Sequence, residues 1–460
     1  MQPLASPRPQ LPDLRTPDAL AALRAGHLAL ATRLDLRGCG LRELPPEVLA
    51  LAETLEALDL SGNRLAALPE AFARLHKLRV LFCSDNAFTE LPAVLGRCAA
   101  LDIVGFKANR IERVAAQALP PALRWLILTD NRIAELPESL GNCPRLQKLM
   151  LAGNRLRRLP RRIGDCQRLE LVRLAANDFE RAEDALPEAL LALPRLAWLG
   201  HAGNPFSQAR EHAAEQAAVA GQTAAAPAAT AAIAATAPPI AWSRLVLQGL
   251  LGEGASGVIH AATWQPATGA AQPVAVKLFK GAMTSDGLPR SEMAASIAAG
   301  AHPNIVAVEG RLTGHPDGAQ GLVLRRIPPN FRNLAGPPSL ASCTRDVYAC
   351  DARFSASQAG AIASAMSSAL AHLHRQGLVH GDRYAHNILV DHAGASLLGD
   401  FGAASFVPAD DRPRAEALQR IDRRALGWLI DELAQRCDEP DALAALNRAT
   451  AAGATAPWPG

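Results

Sequence analysis

Aromatic side chains and blocks of one-sided charge are both scarce in this 460-residue chain. Phe, Trp and Tyr make up 4%, with two tyrosines, although 49% of residues are hydrophobic, so the cores must be built from Leu and Ala. The 47 basic and 44 acidic residues are interspersed, for a net charge of +3. That distribution gives no footing for a nucleic-acid partner. Long apolar runs are missing too. The one uncharged stretch long enough to test, residues 217–243, is mostly Ala and Thr and carries Pro227, Pro238 and Pro239, so no membrane span is expected. Pro3, Pro7, Pro9 and Pro12 break up any apolar run of a secretory signal. The eight cysteines lack the tight clusters of a zinc site or a small disulfide scaffold. A chain of two or three domains in a reducing cytoplasm is the expectation, with no nucleic acid and no membrane.

What is abundant is repetition. The pattern LxxLxLxxNxL runs through Leu55-Leu58-Leu60-Asn63-Leu65 and returns six more times, its Asn falling at 86, 109, 131, 154, 177 and 204. The steps are 23, 23, 22, 23, 23 and 27 residues, and an imperfect earlier copy has Cys39 where the others place Asn. Cys98, Cys143 and Cys166 each precede a repeat leucine by three residues, which suits small buried hydrophobes. A constant period of this kind, with Leu-Pro at 44, 68, 91, 136 and 159, resembles the leucine-rich-repeat family in its bacterial and intracellular variants. One copy cannot bury its apolar face, but stacked copies can, with the Asn satisfying backbone groups of neighbouring coils. Thr16-Pro17-Asp18 predicts a capping helix over residues 17–25. Strand positions flanking the inward leucines face the concave side. There Val80, Phe82, Ile103, Trp125, Ile127 and Met150 form an apolar stripe, read as a site for a protein partner or substrate, or for this chain's own second half.

From Gly221 to Pro239 the chain is nearly all Ala, Thr and Pro, the composition of a linker. Beyond it, Gly252-Glu253-Gly254-Ala255-Ser256-Gly257 is a GxGxxG followed by strand-like Val258-Ile259-His260-Ala261-Ala262, a hairpin suited to draping backbone amides over phosphates. Val274-Ala275-Val276-Lys277 places a lysine at the end of an apolar strand. Its acidic partner is expected on the next helix, at Glu292, with Asp286 as the other candidate. Leu322-Val323-Leu324 reads as a further strand, and Ile362, Met366, Leu370 and Leu373 mark a helix over 357–376 ended by Gly377. His380-Gly381-Asp382 follows, then Asn387 five residues after the Asp, and Asp400-Phe401-Gly402 thirteen residues after that.

In this order these motifs resemble the protein-kinase superfamily over residues 244–435. The resemblance implies a fold, a nucleotide and a set of roles. Asp382 is the catalytic base, and Lys277 holds the α- and β-phosphates, positioned by Glu292. Gly252, Glu253, Gly254, Ala255, Ser256, Gly257, Ile259, Ala275, Lys277, Leu324 (at the gatekeeper position) and Leu389 surround ATP. Asn387 and Asp400 hold Mg²⁺. Asp422 braces the catalytic loop from a large-lobe helix. Three departures stand beside these matches. Gly381 replaces the usual Arg, Tyr384 takes a position often held by Lys, and only 22 residues separate Asp400 from Asp422. Activation by phosphorylation of the loop is therefore not expected.

The expected architecture is a leucine-rich-repeat α/β solenoid followed by a two-lobed α+β protein-kinase-like domain. Residues 1–28 hold a tail and capping helix, 29–206 the repeats, 207–241 the linker, 242–437 the kinase-like domain and 438–460 a tail. The expected activity is ATP- and Mg²⁺-dependent phosphorylation of a protein hydroxyl, Ser/Thr ahead of Tyr. The alternatives are a small-molecule phosphotransferase of the aminoglycoside or choline kinase type, whose catalytic loop is also written His-Gly-Asp, and a pseudokinase scaffold.

Overall fold

The computed structural model describes residues 17–220 and 237–439, apart from 255, 281, 282 and 285. Both expected tails lie largely outside these residues, as do Ala255 of the glycine loop and residues 221–236 of the expected linker. Two compact units divide the chain between Asn131 and Arg132.

In the first unit, helix α1 (Pro17–Arg24) precedes five three-residue strands, β1 (Arg33–Asp35), β2 (Ala57–Asp59), β3 (Val80–Phe82), β4 (Ile103–Gly105) and β5 (Trp125–Ile127). They pair in parallel and in register, Leu34, Leu58, Leu81, Val104 and Leu126 lying side by side and buried. Each strand is short because the consensus turns the chain at the next Asn. Asn63 Nδ2 donates to the carbonyls of Leu36 and Leu60, both at 2.8 Å, while its Oδ1 accepts from Leu41 N at 3.0 Å. Asn86, Asn109 and Asn131 repeat the pattern one coil later each time. This is how one side chain satisfies backbone groups of two coils that no ladder reaches. The residue before each Asn adopts a left-handed conformation: Gly62, Asp85, Ala108 and Asp130 have φ between 53° and 70°.

Of the expected concave stripe, Val80, Phe82, Trp125 and Ile127 are half-buried, whereas Ile103 is closed off at 1% exposure. Phe82 lies over Gly105, where a Cβ would stand 2.5 Å from the ring.

The second unit starts with three more repeat strands, β6 (Lys148–Met150), β7 (Leu171–Arg173) and β8 (Trp198–Gly200), again parallel. Helix α2 (Pro205–Ala220) follows Asn204. Strand β9 (Pro239–Ala241) takes the end of the expected linker into a six-stranded sheet. With β10 (Leu245–Glu253), β11 (Gly257–Trp264), β12 (Gln272–Phe279), β13 (Val308–Thr313) and β14 (Gly321–Arg325), its order is β10-β11-β12-β14-β13-β9. All pairings are antiparallel except β13 with β9. Helix α3 (Pro289–Ala298) turns Met293 and Ile297 onto this sheet beside Leu322 and Leu324.

The remaining lobe is mainly helical. Helix α4 (Ala356–Arg375) opens on a capping box between Ser355 and Gln358 and ends before Gly377, whose φ of 71° suits the helix exit. Its apolar face, Ile362, Met366, Leu370 and Leu373, is buried in the lobe's core. Strand β15 (Arg332–Asn333) pairs with β17 (Ile388–Val390), which pairs with β18 (Ser396–Leu398). A second small sheet joins β16 (Leu378–Val379) to β19 (Ser405–Phe406). Five residues after β19, helix α5 (Arg412–Ala434) begins, N-capped by the Asp411 side chain. The chain thus goes from Asp400 to the large-lobe helix with one short strand between.

All eight cysteines are free, and Cys98, Cys143 and Cys166 are buried as the repeat pattern implied. No described helix is long and apolar enough to cross a membrane.

Candidate active site

The sequence-predicted residues converge at the junction of the two lobes. On β12, the alternation of Val274 and Val276 with Ala275 and Lys277 carries the lysine to the far end of a buried strand. There Lys277 Nζ forms a buried ion pair with Glu292 on α3, the residues being 9% and 3% exposed. Asp286 pairs elsewhere. Burial pushes the Glu292 carboxyl up to about 7, against the pull of Lys277 and with the nearby Asp400 charge adding to the rise.

The glycine loop joins β10 to β11, with Gly254 N donating to Gly257 O at 2.9 Å. Gly257 is required by contact: a Cβ there would meet Leu278 O at 2.5 Å. Ile259 lies opposite Lys277 and Ala275 opposite Leu324 in the sheet, while Leu389 sits on β17. Gly252, Glu253 and Ser256 frame the loop, and the Ser256 side chain reaches Glu292.

The catalytic-loop candidates are positioned by α5. Asp422, 2% exposed, accepts from His374 Nε2 at 3.1 Å, from His380 N at 3.1 Å and from Gly381 N at 3.4 Å. Burial alone would raise its carboxyl, but Arg383 and His374 beside it hold it well below the usual range. Asp382 then faces Asn387, whose Nδ2 donates to Asp382 Oδ2 at 2.8 Å and to Asp382 O at 2.9 Å. This spends the amide nitrogen on the loop and leaves the amide oxygen for another ligand. Asp400 is exposed, in a left-handed conformation with φ of 51°, and accepts from Gly402 N at 3.1 Å. One carboxylate and one amide oxygen form a donor set of the hard kind Mg²⁺ takes when phosphates complete its shell. Among the described residues no cluster of three or more His, Cys, Asp or Glu is arranged to hold a metal by itself.

The two departures in the catalytic loop have physical causes. Gly381 has φ of 68°, and a Cβ there would stand 2.7 Å from both Leu199 O and Ala403 O. No arginine fits, because the last repeat strand runs against the loop at this point. Tyr384 is buried and stacks on Trp198 of β8, ring centroids 4.1 Å apart and 10° from parallel. Trp198 Nε1 donates to Arg383 O at 3.3 Å, Trp428 packs on the same indole, and Arg345 lies 3.6 Å from the Trp428 ring centroid. Met150, expected on an open concave face, packs into this cluster with Leu171 and Ala425.

Three residues at the site, Arg173, Trp198 and Lys148, escaped the sequence reading, and a fourth, Asp286, was expected there only as a partner of Lys277. Arg173 on β7, 1% exposed, donates from Nε to Asp286 Oδ1 at 2.6 Å, from Nη1 to Gly381 O at 3.1 Å, and from Nη2 to Asp382 Oδ1. Asp286 and Trp198 owe their places to the same contact. Lys148 on β6, 7% exposed, lies near Asp382 and Asp286; burial lowers its pKa while those carboxylates oppose the fall. One signal could have exposed Arg173, since it is a cation at a strand position whose counterparts in the middle repeats are apolar.

Comparison with known families follows the same division. Residues 245–437 match the model of protein tyrosine and serine/threonine kinases, and residues 30–88 match that of leucine-rich repeats. A probable inactive serine/threonine-protein kinase, roco10 of Dictyostelium discoideum, is 29% identical over 25% of this chain and 5% of its own length. A probable serine/threonine-protein kinase of Arabidopsis thaliana is 29% identical over 28% of this chain and 21% of its own. A PHLPP-like protein phosphatase of Drosophila melanogaster is 40% identical over 18% and 9%. The chain therefore spans about a fifth or less of these relatives. A leucine-rich-repeat protein of Leptospira interrogans with a solved structure aligns at 26% identity over 41% of this chain and 53% of that one, with a TM-score of 0.33.

Proposed function

We propose that this chain, which joins a leucine-rich-repeat region to a protein kinase domain, transfers the γ-phosphate of ATP to a protein hydroxyl, Ser or Thr ahead of Tyr. The observation that carries the reading is the assembled set: Lys277 paired with Glu292, and Asp382 held by Asn387 and braced through Asp422. In this reading the loop amides of residues 252–257 cradle the phosphates, Lys277 holds them, and Ile259, Ala275, Leu324 and Leu389 enclose the base. Asn387 and Asp400 hold Mg²⁺, which when bound neutralises charge on the phosphates. Asp382 accepts the hydrogen bond of the acceptor hydroxyl. As the acceptor oxygen bonds to the γ-phosphorus and the bond to the ADP oxygen breaks, the proton passes to Asp382 and ADP leaves. The eight free thiols suit a reducing cytoplasm. Of the expected stripe, Val80, Phe82, Trp125 and Ile127, which are half-buried, mark the concave side on which a protein partner or substrate docks.

A second reading has its own support. Strands β7 and β8 lie against the catalytic loop, and the Asp382 side chain is only 15% exposed, which favours a small alcohol over a folded protein as acceptor. Incubation of the full chain with γ-labelled ATP and Mg²⁺ separates the cases. Label on protein supports the first reading and label on small alcohols the second. No transfer to either overturns the proposal and leaves the repeats with a non-catalytic scaffold.

A further inference from the structure

Among the described residues, the catalytic loop has no arginine or lysine of its own facing Asp382; its nearby imidazole, His386, is tied to another carboxylate. Arg383 is turned into the core, donating to Asp422 O, Tyr384 is stacked on Trp198, and His386 Nδ1 is held on Asp346 at 2.7 Å. A phosphoryl group in transfer spreads negative charge over three oxygens, and fixed cations beside it are where much of the catalysis in this chemistry resides. The repeat strand β7 brings one to this place. A guanidinium has five N–H donors. Arg173 spends three, on Asp286, Gly381 O and Asp382, and no described residue takes the other two. They belong to Nη1 and Nη2, the nitrogens that bond Gly381 O and Asp382.

We propose that Arg173 is the catalytic cation of this enzyme, contributed by a repeat strand, its two unused N–H groups binding the γ-phosphate as it moves to the acceptor. Resting on the kinase reading above, this adds no bond to the chemistry: the acceptor proton still goes to Asp382 and ADP still leaves.

The alternative, an arginine that plugs the base until the repeats swing away, conflicts with how the contact is built. Glu170 of the repeats is 1% exposed and bonded by Thr344; Glu211 on α2 is 7% exposed and accepts from Ser291 Oγ at 2.7 Å. Withdrawal would break both of these hydrogen bonds and the one from Trp198 to Arg383 O, and would open the Trp198–Tyr384–Trp428 stack to water. Losing that much buried apolar and hydrogen-bonded contact at once is costly, so the contact is part of the standing architecture. The Lys277–Glu292 pair and the Asn387–Asp382 bond are also formed at the same time as the Arg173 contacts.

The test uses the full chain and two numbers: kcat with its KM for ATP, and affinity for Mg²⁺·ADP with aluminium fluoride, which imitates the phosphoryl group in flight. Arg173→Met should lower kcat by about 1,000-fold, the scale of an arginine in phosphoryl transfer, with the KM for ATP little changed. It should weaken the ADP–aluminium fluoride complex comparably while leaving ADP affinity alone, and Arg173→Lys should recover part of both. A wild-type or raised kcat in Arg173→Met, or undiminished aluminium fluoride binding, overturns the proposal. If Arg173→Met does not fold, Arg173→Gln, which keeps amide donors without charge, is judged by the same numbers. Failure of the wild-type chain to transfer phosphate would instead sink the kinase reading itself.

Discussion

Replacing Trp198 with Ala removes a large buried side chain that packs the repeats onto the catalytic loop. Trp198 is 2% exposed, stacked on Tyr384, packed on Trp428 and hydrogen-bonded to Arg383 O. Truncating a buried Trp costs about 3–5 kcal/mol, and its stacking and hydrogen bond place this site in the middle of that range or above, about 4 kcal/mol. The second unit spans roughly 300 residues, for which an unfolding entropy of about 2.1 cal/mol/K per residue converts this to a fall in Tm of about 6 °C. Calorimetry gives the shift. Amide exchange across residues 380–387 shows whether the loss reaches the catalytic loop, some 185 residues away in sequence. A loss under about 1 kcal/mol, or faster exchange confined to the repeats, would refute the reasoning that repeats and catalytic half share one core.

Other consequences are as concrete. His201, fully buried, occupies a position where most repeats have Leu, and neither ring nitrogen reaches a partner in another residue. Burial lowers it from 6.5 to about 4, so its neutral form contributes stability above pH 6.5 that is lost as pH falls toward 4. At about 1.4 kcal/mol per pKa unit the ceiling is about 3 kcal/mol, and denaturant titrations of His201→Leu should show an acid-induced loss smaller by up to that amount. Gly381→Ala forces a left-handed Ala against Leu199 O and Ala403 O and should cost about 2–3 kcal/mol. Gly427→Ala, in α5 with open space around it, should be neutral or mildly stabilising, and thermal melts rank the two. Asp at Phe82 and Trp125 together should abolish partner capture or change the rate of transfer, measured by pull-down and label incorporation; no effect on either removes the concave face from the account.

Much of this architecture was legible because it is local. The repeat period gives the strands and the Asn ladder, and the order of Gly loop, Lys277, Asp382, Asn387 and Asp400 is a local pattern that the fold brings to the lobe junction. Helix position favours Glu292 over Asp286 as the partner of Lys277, and that pair forms. What stayed hidden is long-range. Arg173 and Asp382 are 209 residues apart, and nothing in either segment names the other. The same distance disguised Gly381 as a lost arginine and Tyr384 as a lost lysine, when both are shaped by strand β8. Period alone also marked Ile103 and Met150 as part of an open apolar stripe, since it records which way a strand residue points but not what lies opposite.

The central claim is that Asp382 receives the acceptor proton in a phosphoryl transfer from ATP. Its most direct measurement is the rate of label transfer from γ-labelled ATP by the full chain and by Asp382→Asn, side by side, at saturating Mg²⁺·ATP with ADP affinity as a folding control. The account predicts measurable transfer by the wild-type chain and a fall of at least about 100-fold in the variant, the scale of a lost general base, with ADP affinity kept. Equal transfer by the two proteins would contradict it.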